Sequence, residues 1–149
     1  MDEKQLEFIS NIKKCEEIIQ LVNYFYKVDC TINTRLRIVS TPRQIAMYLM
    51  YNNLNVTTYD IGRLFKGAEN KCKNHATVLY AKKKVKDLIV FDKNIREDVK
   101  ELQKSVYNIV GFKDLELEKN KILRELNDLL IYKELSYLKR LKSKLNGNT

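Results

Sequence analysis

Residues that end helices are almost absent from this chain. One proline and four glycines are spread over 149 residues, whereas leucine, isoleucine, lysine, glutamate and asparagine are abundant. Gly and Pro are the least favourable residues inside a helix, so a chain that contains few of them favours long helices with few turns. We therefore expect an all-α protein. Its length suits one domain of ordinary size with a helical appendage.

The spacing of apolar residues predicts where the helices lie. Apolar positions that recur every three or four residues mark the buried face of a helix. Thr41, Pro42 and Gln44 form a capping-box pattern that predicts a helix start at Pro42, and Asn74 is a good N-cap for a later helix. Residues 28–40 lose the helical spacing and are predicted to form an irregular arm. The predicted helices cover residues 6–25, 42–53, 57–65, 74–89, 92–110 and 114–145.

Positive charge is concentrated in the middle of the chain. The net charge is +9, and residues 35–86 contain eleven basic and two acidic residues, which account for the whole excess. A localised positive field beside near-neutral flanks is typical of proteins that bind nucleic-acid phosphates. A membrane surface is the alternative acidic partner, but no apolar run approaches the roughly 20 residues that span a bilayer, and a signal-peptide pattern is missing. We therefore expect a cytoplasmic, nucleoid-associated protein without membrane contact.

The sequence does not indicate metal or catalytic chemistry. Cys15, Cys30 and Cys72 have no CxxC spacing, and with a single histidine they do not match a structural zinc site. We interpret them as free thiols, with Cys15 in the core and Cys72 in an exposed loop. A phosphate-binding GxxxxGK[ST] loop and a Ser/His/Asp order are both missing. We therefore expect no enzyme activity, no cofactor and no bound nucleotide.

Two consecutive predicted helices, residues 57–65 and 74–89, indicate a helix-turn-helix. Thr57 or Thr58 caps the first, and the second opens with small polar residues and carries a lysine run at 82–86. The N-terminal residues of a recognition helix of this kind face base edges in the major groove. An ordinary three-helix bundle with a solvated lysine face is the alternative, because basic helices are common.

Three segments resemble the C-terminal DNA-binding domain of the bacterial replication initiator DnaA. They are VSTPRQIAMYL at 39–49, DIGRLF at 60–65 with Gly67 after it, and NHATVLYA at 74–81. A looser resemblance extends over residues 18–106. The resemblance implies an all-α, Trp-repressor-like helix-turn-helix bundle, here with a long C-terminal helix. It also implies a bacterial or phage protein that binds double-stranded origin DNA, in replication initiation and control or in transcription regulation.

The resemblance assigns DNA contacts to particular residues. Arg35 would enter the minor groove, whose narrow, negative form suits a guanidinium. His75 would donate to a base edge, and Thr77 would hold a phosphate near the helix N-terminus. Without the resemblance, Arg35 and His75 would be interpreted as ordinary solvated residues. The DNA-contact residues that it implies are Arg35, Arg37, Arg43, Thr57, Thr58, Tyr59, Lys73, Asn74, His75, Ala76, Thr77 and Lys82.

Several positions depart from the family pattern. Lys73 stands where Arg is usual, which keeps the charge but loses the bidentate fork. Asn74 replaces an Asp and exchanges an acceptor suited to cytosine for an amide suited to adenine, while Ala76 replaces a Thr and offers a methyl contact to thymine. Tyr59 occupies a position where Pro is common, and the turn at 67–73 is longer than in the family. These changes leave the fold intact and alter the expected target sequence.

The chain is predicted to have two parts. Residues 1–110 form the DNA-binding domain, with the resemblance strongest over 35–90, and residues 111–149 form an amphipathic helical extension. Apolar positions of the extension begin at Leu115 and do not hold a strict heptad. The extension either folds back onto the domain or pairs with a second copy, which would bring two domains to paired half-sites. The residues expected at such a homodimer interface are Leu129, Leu135, Leu138, Leu141 and Leu145.

A second hypothesis makes the chain a helical protein-interaction module. Such a module would keep the DnaA-like fold and bind a partner through its last helix, with an incidental basic surface. Substitution of Arg35 or His75 would then leave its function intact, whereas a charge placed at Leu138 would abolish partner binding.

Overall fold

The computed structural model describes residues 1–147, without the side chains of residues 112–118, among them the predicted apolar position Leu115. Helices follow one another through this range, and no β-strand lies between them. The chain has two structural units, of which Met1–Val110 contains α1 to α5 and the second, beginning at Gly111, contains α6. The predicted all-α class is confirmed. The helices are α1 (Glu3–Tyr26), α2 (Arg37–Asn53), α3 (Thr58–Arg63), α4 (His75–Phe91), α5 (Lys93–Val110) and α6 (Phe112–Gly147).

Helix α2 is the centre of the first unit. It packs against α1, α3, α4 and α5, and α1 and α4 also pack against α5. Each large apolar side chain that is fully buried between these helices stabilises the fold by roughly 1.5–3 kcal/mol. The largest fully buried side chains include Phe65, Ile18, Ile45, Met47, Leu49, Met50, Ile61, Leu102, Val22 and Val78.

Helix α2 begins earlier than the sequence pattern predicts. The capping-box pattern predicted a start at Pro42, but the helix begins at Arg37 and Pro42 lies inside it. Val39 is buried, and this burial outweighs the local capping signal. The proline leaves the carbonyl of Ile38 without its helical donor, which is tolerated because Ile38 is exposed to water. The irregular segment is therefore shorter than predicted and covers residues 27–36, which we call the arm.

The predicted caps of the helix-turn-helix are confirmed. Thr57 caps α3, where its Oγ1 accepts from the backbone N–H of Asp60 at 3.1 Å. Asn74 caps α4, where its Oδ1 accepts from the backbone N–H of Thr77 at 2.9 Å. The two helices approach each other closely at Gly62, because a Cβ there would collide with the carbonyl oxygen of Lys73. These contacts fix the start of α4 against α3.

The cysteines are free thiols, as predicted. Cys15 and Cys30 are buried and Cys72 is exposed. Burial raises the pKa of Cys15 and of Cys30 to about 12, so both remain protonated at neutral pH. Among the described residues, His, Cys, Asp and Glu side chains do not group into a metal-binding cluster. No described helix is both long and apolar enough to cross a membrane.

Candidate nucleic-acid interface

An internal arginine holds the arm in place. Arg43 of α2 is buried, and its guanidinium donates to the carbonyl oxygens of Cys30 at 3.2 Å, Ile32 at 3.0 Å and Thr34 at 2.7 Å. Burial lowers the pKa of Arg43, but an arginine keeps its charge at any physiological pH. Arg43 therefore positions Arg35, the next residue of the arm, whose side chain is exposed.

The first turn of α4 has its own internal hydrogen bonds. The Oδ1 of Asn74 accepts from both the backbone N–H and the hydroxyl of Thr77, each at 2.9 Å. The oxygen of the Asn74 amide is thus occupied, and its NH₂ group is the part left for an external acceptor. A phosphate contact through Thr77 requires its hydroxyl to leave Asn74. Ala76, next to them on the helix, is exposed.

The single histidine stacks on a tyrosine of α3. The rings of His75 and Tyr59 lie with their centroids 4.5 Å apart and their planes 28° from parallel. His75 is half-buried, whereas Tyr59 keeps 58% of its surface exposed. Such a contact stabilises an aromatic pair by roughly 0.5–1.5 kcal/mol. The stack fixes the orientation of the imidazole at the start of α4.

A cationic groove of about 800 Å³ separates the arm from α4, and we call it the arm groove. Arg35, Arg43, Lys73 and Lys84 line it, and no carboxylate is among its lining residues. Thr77 of α4 also faces it. Four cations around one opening without an acidic partner create a local positive field that favours an anion.

The pKa of Lys73 reflects the positive charges that surround it. Its Nζ donates to the Oδ1 of Asn33 at 2.8 Å, and among the described side chains no carboxylate pairs with it. Burial, followed by the charges of Arg43 and Arg35, lowers the pKa of Lys73. An anion bound in the arm groove would favour the charged form of the lysine and relieve this repulsion.

The other residues assigned from the sequence lie around this region. Arg37 is exposed at the start of α2 and does not line the arm groove. Thr58 is half-buried in the first turn of α3, behind the cap Thr57. The ammonium of Lys82 lies over the ring of Tyr51, 4.1 Å from its centroid, on the flank of α4 away from the arm groove.

Lys84 lines the arm groove, although the sequence interpretation chose Lys82 from the same lysine run. The spacing contains the signal that was missed. Lys84 follows Thr77 by seven residues, which places both on the same face of α4 after about two turns. Lys82 falls on the opposite flank.

The short helix α3, the turn and the exposed first turn of α4 define a helix-turn-helix domain, with α4 in the position of the recognition helix. Residues 15–85 match the family described as the bacterial DnaA protein helix-turn-helix. This segment of the chain is therefore a helix-turn-helix domain that resembles the C-terminal domain of DnaA.

The same segment is similar to part of several longer, curated proteins. The chain is 39% identical over 97 residues to the chromosomal replication initiator protein DnaA of Bdellovibrio bacteriovorus, which covers 63% of this chain and 20% of the relative. It is 37% identical over 92 residues to the DnaA protein of Wolbachia pipientis, which covers 60% of this chain and 19% of that relative. The chain is 42% identical over 76 residues to the DnaA protein of Rickettsia akari, which covers 51% of this chain and 15% of that relative. The matched segment thus spans at most about a fifth of these relatives.

Proposed function

We propose that residues 1–110 bind double-stranded DNA, with α4 in the major groove and Arg35 in the adjacent minor groove. The observation that carries this proposal is the arm groove, where four cations meet beside α4 without a carboxylate. Phosphates that enter the groove would replace repulsion between Lys73, Arg35 and Arg43 by attraction and would release counterions from the DNA. The similarity to chromosomal replication initiator proteins supports a role at origin-type sequences, in initiation or its control.

The first turn of α4 supports readout of bases. Asn74 offers amide donors but not its oxygen, so we propose that it reads an acceptor such as purine N7 or thymine O4. His75 adds a second side chain for base contact, and the stack on Tyr59 already orients its ring. The exposed methyl of Ala76 suits the thymine methyl group. Arg37, Thr57, Thr58 and Lys82 stay predicted DNA contacts.

The test is a fluorescence-anisotropy titration of the full chain with a duplex that carries a DnaA-type box. A scrambled duplex of equal length is the reference, and both are measured at two salt concentrations. We expect the box duplex to bind more tightly, with a larger ratio at higher salt because non-specific phosphate binding weakens first.

Charge-matched variants locate the interface. We expect Arg35→Ala and Lys84→Ala to lower the affinity for the box duplex about tenfold, since each removes one or two charge-assisted contacts. Lys100→Ala is the control, because Lys100 is exposed on α5 outside the basic segment. Equal, salt-sensitive binding to both duplexes, or equal effects of all three substitutions, would contradict sequence-specific binding through the arm groove.

A second proposal concerns α6, which we propose pairs with the α6 helix of a second copy. The five leucines chosen from the sequence are all exposed, from 39% at Leu141 to 73% at Leu145. At about 100° per residue, Leu135, Leu138, Leu141 and Leu145 share one face of α6 and Leu129 lies on the other. Exposed apolar side chains that share a helix face are typical of an interaction site. Sedimentation equilibrium of the full chain should show a dimer that Leu138→Asp dissociates. A wild-type monomer at high micromolar concentration would contradict this pairing.

A further inference from the structure

The segment between α3 and α4 forms a closed loop, residues 66–72, which we call the hairpin loop. Lys66 and Cys72 pair as an isolated antiparallel bridge, and the N–H of Gly67 donates to the carbonyl of Lys71 at 2.6 Å. A Cβ at Gly67 would collide with the carbonyl oxygen of Cys72, so the two legs of the loop lie in close contact. The N–H of Lys66 also donates to the carbonyl of Thr31 at 3.0 Å, which fixes the loop to the arm.

The hairpin loop and α3 enclose a second cationic groove of about 440 Å³, which we call the loop groove. Arg63, Lys71 and Lys73 supply its charges, and no carboxylate lines it. Arg63 forms an ion pair with Asp60 at 3.4 Å, yet 69% of the Arg63 side chain stays exposed. Lys71 is exposed. Neither Arg63 nor Lys71 has a role in the interface described above.

The two grooves lie on opposite flanks of α4. Thr77 and Lys84 line the arm groove, whereas Asn74 and His75 line the loop groove. Successive residues of a helix turn by about 100°, so His75 and Thr77 point roughly 200° apart. A helix in the major groove of B-DNA has one phosphate backbone on each side. The spacing of the grooves around the first turn of α4 therefore suits two backbones.

We propose that the loop groove holds a backbone phosphate of the DNA strand opposite to the strand held by the arm groove, with Lys71 and Arg63 as its ligands. This inference rests on the proposed function, because it requires α4 to enter the major groove. A phosphate in the loop groove would make the hairpin loop part of the DNA-binding surface. Lys73, which lines both grooves, would then lie between the two DNA strands.

The experiment compares Lys71→Gln with Lys66→Gln in the full chain. Both lysines are exposed and belong to the hairpin loop, but only Lys71 lines the loop groove. Binding to the box duplex is measured over a range of salt concentrations. We expect Lys71→Gln to lower the salt slope by about 0.9, the contribution of one neutralised phosphate, and Lys66→Gln to leave it unchanged. Thermal unfolding of both variants verifies that the fold is intact.

Ethylation interference then identifies the strand. Ethylated phosphates that block binding of the wild-type protein are mapped on both strands, and the map is repeated with Lys71→Gln and with Lys84→Gln. We expect each variant to lose sensitivity at one phosphate, on opposite strands.

Three outcomes would overturn the inference in distinguishable ways. If the wild-type protein does not bind the duplex, the proposed function fails and the inference fails with it. If Lys84→Gln changes the map while Lys71→Gln behaves like Lys66→Gln, DNA binding stands and the loop groove has no phosphate. If both variants lose phosphates on the same strand, the placement on opposite strands is wrong.

Discussion

At the scale of single residues, the stack of Tyr59 on His75 is the feature that most directly prepares a side chain for base readout. We expect Tyr59→Ala to release the imidazole, and the affinity for the box duplex to fall roughly fivefold, because ordering one free side chain on binding costs about 1 kcal/mol. Tyr59→Phe keeps the ring and should retain most of the affinity.

Proton NMR provides an independent measurement of the stack. The chain has one histidine, so its ring resonances are assigned without ambiguity. We expect them to move downfield in Tyr59→Ala, as the ring current of the tyrosine is lost, and to remain in place in Tyr59→Phe. Unchanged resonances in Tyr59→Ala would mean that the rings do not stack in solution.

A second residue-scale prediction concerns Tyr26, whose hydroxyl donates to Asp98 at 2.9 Å. Burial, followed by the hydrogen bond and the charge of Asp98, raises the pKa of Tyr26 in the folded state. A group with a raised folded pKa stabilises the fold below its unfolded pKa, near 10 for tyrosine, and this stabilisation is lost as the pH rises above it. We expect Tyr26→Phe to lower the free energy of unfolding by about 1.5 kcal/mol at pH 8.

The difference between wild type and Tyr26→Phe should shrink above about pH 10. Urea denaturation across this range measures it. The buried thiols Cys15 and Cys30 also destabilise the fold at high pH, but they do so in both proteins and cancel in the difference. Tyr24→Phe is the control, because Tyr24 is 85% exposed. A constant difference over the whole range would show that Tyr26 does not titrate differently in the folded protein.

Residue-scale features were predictable from sequence where they are local. The cap by Asn74 depends on a neighbour within one turn, and the apolar spacing along α1 is a local pattern that predicts the burial of Cys15. The stack of Tyr59 on His75 and the internal role of Arg43 depend on how separate elements approach each other, which no local pattern encodes. Helical spacing alone already distinguishes Lys84, which lines the arm groove, from Lys82, which stays a predicted DNA contact.

At the scale of elements, Gly62 controls how α3 meets α4. A methyl group at this position would collide with the carbonyl oxygen of Lys73, so α4 would have to shift. We expect Gly62→Ala to lower the free energy of unfolding by about 1–3 kcal/mol, the usual cost of overpacking, and to weaken DNA binding through the displaced first turn of α4. Urea denaturation and anisotropy titration measure the two effects.

Gly147→Ala is the matched control for this substitution. A Cβ at Gly147 meets nothing, so the same change of residue there adds a methyl group without a collision. If Gly62→Ala were as stable as the wild type, Gly62 would not be in contact with the backbone of Lys73, just before α4.

The order of the helices was predictable from apolar spacing, but one boundary was not. The pattern at 41–44 is a valid local capping signal, and it lost to the burial of Val39, a tertiary contact. The hairpin loop was likewise visible only as a turn at 67–73 that is longer than in the family. Its closure depends on the bridge between Lys66 and Cys72 and on the contact with Thr31, which lies far away in the sequence.

At the scale of the whole molecule, the charge distribution in the sequence anticipated the location of the two cationic grooves. Six of the eleven basic residues at 35–86 are divided between the two grooves on the flanks of α4. What the sequence could not provide was this division, because it depends on the fold of the arm and of the hairpin loop.

The core of the first unit consists of residues between Cys15 and Val110, so a fragment of residues 1–110 should fold alone. We expect it to keep the affinity of the full chain for a duplex with one box, because both grooves lie within it. If α6 pairs two copies, the full chain should bind a duplex with two boxes about a hundredfold more tightly than the fragment does.

Anisotropy titrations of both proteins with both duplexes measure these affinities, and full-length Leu138→Asp is the control. It keeps α6 but removes an exposed leucine from the proposed interface, so it should behave like the fragment. Equal affinity of all three proteins for the two-box duplex would mean that the chain binds DNA as a monomer and that α6 does not pair two copies. A loss of one-box affinity in the fragment would instead show that α6 takes part in DNA binding itself.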